Sequence, residues 1–112
     1  MTIFPNDASA RRALFFAHVE SGACLLFDGG VSTLLYQRGV FINRSFDEVN
    51  LDGTTLVADI HREYAAAGAH VITTNTWGAN ASKLAAYGLE GKTREINTAG
   101  ARIARQAVTR RA

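Results

Sequence analysis

Two short stretches carry residue types that could hold a small polar ligand. The first is Asp28-Gly29-Gly30, directly after the apolar run Cys24-Leu25-Leu26-Phe27. A carboxylate there can pair with an ammonium group through a charge-assisted hydrogen bond, and two glycines let backbone come close to a ligand. The second is Asn75-Thr76-Trp77, after His70-Val71-Ile72-Thr73-Thr74. Asn75 and Thr76 offer donors and acceptors, and Trp77 offers a flat wall. Each residue also has a plain structural use. Asp before Gly-Gly forms turns, Asn and Thr cap them, and Trp fills cores. The residues alone leave both roles open. No Gly-Lys-Ser/Thr follows the two glycines, so this is not a phosphate loop.

Other reactive side chains are sparse. The one cysteine, Cys24, excludes an intrachain disulfide and any multi-cysteine metal site. It reads as a small buried hydrophobe in a reducing compartment, and a cytoplasmic location is expected. His18 falls on an N-terminal helix. His61, beside Arg62 and Glu63, reads as structural or surface, and His70 at the start of its run reads as structural.

These stretches need elements to position them. Residues 1–7 read as a loose tail. Residues 8–21 read as a helix, with Asp7 or Ser9 as its cap and Ser21-Gly22 as its stop. The apolar runs 24–27 and 70–74 read as strands, the first buried on both faces as in a parallel sheet and the second rich in β-branched residues. Residues 31–38 can be read as a short helix ending at Gly39. Residues 40–53 are irregular, because Asn43, Ser45, Asp47, Asn50, Asp52 and Gly53 are turn formers. Leu56, Val57, Ile60 and Tyr64 share one face of a helix over 54–67, capped by Thr54 or Asp52 and closed by Gly68. A helix over 80–87 stops at Gly88. The last helix, 92–109, turns Ile96, Gly100, Ile103, Ala107 and Val108 inward. Strands alternating with helices predict an α/β fold with two parallel strands and right-handed crossovers.

Composition narrows the function. At 112 residues the chain holds one domain at most. Twelve basic against ten acidic residues leave a charge of +2, too balanced for nucleic acid or an anionic membrane as partner. The basic cluster from Arg102 to Arg111 reads as the solvated face of a helix. No run approaches the roughly 18 apolar residues of a membrane span.

The ordered series Leu25–Leu35, Asn43-Arg44-Ser45, Asp47-Glu48, Asn50-Leu51, Ile60–Tyr64, Ala67-Gly68-Ala69 and Thr74–Asn80 resembles the homocysteine S-methyltransferase family. Lys83-Leu84, Tyr87-Gly88-Leu89 and Arg94–Asn97 extend the likeness, which covers about residues 23–108. It implies a (β/α)8 barrel, which needs about 200–250 residues. This chain would then be its N-terminal segment, a partial homocysteine-binding domain with two parallel strands and flanking helices. It implies methyl transfer to the sulfur of homocysteine, giving methionine. The donor would be methyltetrahydrofolate through cobalamin, betaine or S-methylmethionine. It implies that Asp28 helps hold the amino group of homocysteine, and that Gly29, Gly30, Thr33, Asn75, Thr76 and Trp77 border the substrate. It also implies a zinc ion that binds the substrate sulfur as thiolate, since the thiolate is the nucleophile.

The chain departs from the family pattern in three ways. Val31-Ser32 stands where the family turn has Met-Gly. Thr73 stands where the methionine-synthase-like branch has Glu. The family's zinc cysteines lie in later strands, beyond this chain, so the chain alone is expected to lack activity. An incomplete barrel would leave an unpaired strand edge and uncovered helix faces. Self-association, completion by a partner chain, or marginal stability is expected. The alternative to an enzyme segment is a non-catalytic remnant or interaction module. A third reading is a small domain that uses the Asp28 rim for another amino-acid-like ligand.

Overall fold

The computed structural model describes residues 5–109. Residues 1–4 of the expected tail and Arg110-Arg111 of the basic cluster lie outside the described residues. The described residues form six α-helices: α1 (Ala8–Glu20), α2 (Ser32–Gln37), α3 (Val49–Asp52), α4 (Thr54–Ala66), α5 (Ala81–Ala85) and α6 (Thr93–Val108). A single 3₁₀ turn, Glu90–Lys92, leads into α6.

The helices follow local signals. Asp7 caps α1, its carboxylate accepting the Ala10 N–H at 2.9 Å. Neither Thr54 nor Asp52 caps α4; Gly53 occupies that position, with no side-chain hydrogen bond. Gly68 follows α4 with φ +111°, a conformation that favours glycine. The irregular stretch 40–53 contains one unforeseen helical turn, α3.

The expected two-strand α/β segment of a barrel is not formed. Among the described residues there is no strand, and the fold is helical. The two apolar runs meet at one isolated parallel bridge, Phe27 with Val71. Val71 N–H donates to the Leu26 carbonyl at 3.3 Å and Asp28 N–H donates to the Val71 carbonyl at 3.0 Å. Leu26 and Phe27 are 51% and 53% exposed, so the first run is not buried on both faces. Cys24 is exposed as well, not a buried hydrophobe. The reason is non-local. β-branched and apolar residues suit a strand only where neighbouring strands and covering helices complete the ladder, and among the described residues each run pairs only with the other.

The core lies between helices. Leu35, Val49, Val57, Ile60 and Ile103 form one buried cluster, joining α2, α3 and α4 to α6. Ala79, Leu84 and Ile96 form a second. On α6 the buried stripe is Ile96, Gly100, Ile103 and Ala104, the spacing of one helical face. Ala107 and Val108, expected inward, are half-buried, and Ala104 takes the inner place. Gly100 permits the close approach of α6: a Cβ there would fall 2.7 Å from Thr76 Cγ2 and 2.8 Å from Asn50 Nδ2. Arg102 and Arg105 lie on the exposed face of α6. No described helix is long and apolar enough to cross a membrane.

Candidate functional site

The bridge between the two runs fixes Asp28. Its own N–H is tied to Val71, and its Oδ2 accepts the backbone N–H of Thr73 at 3.0 Å. Oδ1 has no hydrogen-bond partner among the described residues. The next two residues are pinned by α4: Tyr64 Oη donates to the Gly30 carbonyl at 2.9 Å. A Cβ at Gly29 would sit 3.0 Å from that hydroxyl, so a larger residue there would have to shift the Tyr64 ring by a few tenths of an ångström. Asp28, Gly29, Gly30, Thr33, Asn75 and Trp77 border one open cleft of 280 Å³, to which Thr73 and Thr74 also contribute. Thr33, in the first turn of α2, is exposed.

Thr76 is not part of that lining. Its hydroxyl pairs with Thr74 Oγ1 at 2.7 Å and its methyl faces α6. Asn75 is buried, and its amide is committed inward. Nδ2 donates to the Phe46 carbonyl at 3.0 Å and to Asn50 Oδ1 at 3.1 Å. Trp77 is 89% exposed, so it is not packed in the core. Lys83 Nζ lies 6.0 Å from its ring centroid, at the outer limit for a cation–π contact.

Trp77 also walls a second cavity, of 370 Å³, which includes Asp47, Lys83 and Tyr87. Asp47 Oδ1 accepts the Gly78 N–H at 3.2 Å. Burial pushes its carboxyl above the ordinary aspartate range, against the opposing pull of the Gly78 N–H, its own N–H and the Lys83 charge. Another groove, of 310 Å³, runs between α1, residues 70–74 and α6 and contains no carboxylate.

The histidines divide. His61 on α4 is fully buried, and neither ring nitrogen has a partner among the described residues. Burial pushes its pKa down, with the Asp28 charge opposing. His70 Nδ1 accepts the Leu26 N–H at 2.9 Å, a structural role, and its ring lies 5.0 Å from that of His18. Among the described residues no three His, Cys, Asp or Glu side chains come together to hold a metal. A catalytic zinc takes three protein ligands, so this donor set does not fit one.

Sequence reasoning missed three contributors. Asn50, Tyr64 and the Thr73 N–H all shape the rim, yet Asn50 read as a turn former and Tyr64 as one residue of a helix face. The pattern Val57–Ile60–Tyr64 did place Tyr64 on the inner side of α4, the available signal.

The sequence profile of the homocysteine S-methyltransferase family matches residues 25–112. The chain belongs to this family. The Asp28 cleft, the Asn50–Asn75 pair and α6 fall inside the match, and α1 precedes it. Over 47 residues this family member is 45% identical to a methionine synthase of Mycobacterium leprae (strain TN). That stretch is 42% of the present chain and 4% of the relative, so the match spans a small fraction of the relative's length.

Proposed function

We propose that the chain contributes the amino-acid-anchoring part of a homocysteine S-methyltransferase. The reaction is transfer of a methyl group to the homocysteine sulfur. The thiol loses its proton, an S–CH₃ bond forms, the bond between methyl and donor breaks, and methionine results. Asp28 accepts hydrogen bonds from the substrate ammonium. The observation that carries this reading is the Asp28 carboxylate itself. One oxygen is held by the Thr73 N–H, and the other has no partner among the described residues, at the edge of the 280 Å³ cleft. Gly30 and Thr33 border the ligand on one side, and Asn75 and Trp77 on the other. The chain alone binds but does not turn over.

Isothermal calorimetry with L-homocysteine tests the anchoring. Measurable binding is expected for the native chain, with at least about tenfold weaker binding for Asp28→Asn, as for a lost charge-assisted hydrogen bond. Absence of binding to the native chain would overturn the reading. In an assay with zinc and each candidate donor (methylcobalamin, betaine, S-methylmethionine), no methionine above a no-protein control is expected.

A second reading, a module that works only with a partner chain or a second copy, is favoured by the half-exposed Leu26 and Phe27 beside the single bridge. Sedimentation velocity distinguishes the two. Association that is lost on Leu26→Lys supports the module, and a monomer at every concentration counts against it.

A further inference from the structure

The side-chain amides of Asn50 and Asn75 face each other in the interior, 25 residues apart in sequence. Asn50 is fully buried. Its Nδ2 donates to the Asn75 carbonyl at 2.8 Å and to the Ile96 carbonyl of α6 at 3.2 Å. Its Oδ1 accepts from Asn75 Nδ2 at 3.1 Å, and that same group donates to the Phe46 carbonyl at 3.0 Å. Each amide nitrogen thus faces carbonyl oxygens, and only one orientation of each amide satisfies the set. Three remote parts of the chain meet here: α3 with the loop before it, the rim after Val71, and α6.

This clasp matters because no ladder holds the rim. The run containing Thr73 is joined to the first run by one bridge, and Thr73 itself is tied to Asp28 through its N–H. Among the described residues the backbone beyond Thr74 makes only local turns, Thr76 N–H donating to the Thr74 carbonyl and Ala79 N–H to the Thr76 carbonyl. Residues 75–77 are tied to the rest of the fold by the Asn50 clasp and the Asn75 bond to the Phe46 carbonyl, with the Asp47 bond to Gly78 N–H beside them. A buried amide network of this kind holds firmly when complete and is costly when one member is lost.

We propose that Asn50 is a positioning residue for the Asp28 cleft: its buried amide, clasped to Asn75 and α6, sets where the Thr73–Trp77 segment meets Asp28. The inference rests on the reading of this cleft as the homocysteine site. Asn50→Asp keeps the shape and sets a carboxylate oxygen against two carbonyls. Val57→Ala, a truncation of a fully buried α4 residue, is the control for general loss of stability.

The test compares amide hydrogen exchange by NMR and L-homocysteine affinity by calorimetry in the 112-residue chain. In Asn50→Asp, Thr73 exchange is expected to rise about tenfold relative to the α6 amides, and the homocysteine Kd to rise about tenfold. In Val57→Ala, Thr73 should move only with α6, and the Kd should hold. If Asn50→Asp does not fold, Gly100→Ala, which presses on the same amide, takes its place with the same expectation. Thr73 exchange that tracks α6, or an unchanged Kd, overturns the proposal. If the native chain binds no homocysteine, the reading of the cleft fails separately, and the exchange measurement alone decides the role of Asn50.

Discussion

The backbone N–H of Thr73 donates to Oδ2 of Asp28 at 3.0 Å, across 45 residues of sequence. This bond orients the carboxylate, whose other oxygen has no partner among the described residues. It also makes the two roles of Asp28 separable. Asp28→Asn retains an oxygen for Thr73, whereas Asp28→Ala does not. Both variants should lose homocysteine affinity, and Asp28→Ala alone should lose about 1 kcal/mol of stability. Urea unfolding beside calorimetry checks this.

Tyr64→Phe removes the hydroxyl that holds the Gly30 carbonyl and leaves the ring against Gly29 in place. The expected cost is about 1 kcal/mol, with weaker homocysteine binding because the loop after Asp28 loses its tether. An unchanged affinity would mean that Tyr64 serves the fold alone.

Stability should respond to pH with two opposite slopes. The folded state lowers the His61 pKa through burial. Below the ordinary value of about 6.5 the unfolded chain takes up the proton first, so stability falls as pH drops. His61→Phe should flatten that acid loss. Asp47 is raised by burial. The folded state therefore holds its proton longer, and stability falls as pH rises above the ordinary value of about 3.9. Asp47→Asn should remove that fall while still accepting the Gly78 N–H. Unfolding curves across the acid range, native against each variant, read both slopes.

Gly100→Ala should destabilise the chain despite a better helix propensity. The added Cβ would meet Thr76 Cγ2 at 2.7 Å and Asn50 Nδ2 at 2.8 Å. Overpacking of this kind costs about 1–3 kcal/mol, against about 1 kcal/mol of propensity gained. A raised melting temperature would show that α6 shifts freely, contrary to the packing described.

Local order alone determined much of this molecule. Helical spacing of Val57, Ile60 and Tyr64, the Asp7 cap and Gly68 placed α1 and α4 within a residue or two, because helix bonds connect near neighbours. The family likeness was carried by an ordered series of residues from Leu25 to Asn97, and Asp28-Gly29-Gly30 stood out as polar and flexible after an apolar run. Tertiary structure decided the rest. Whether Cys24–Phe27 and His70–Thr74 become strands depends on neighbours far along the chain, and with only each other they form a single bridge. Asn50 could be recognised as more than a turn former only once Asn75 and Ile96, 25 and 46 residues away, were seen to share its amide. Hydrogen bonds between distant side chains leave no period in a sequence, and so they become visible only when the chain has folded.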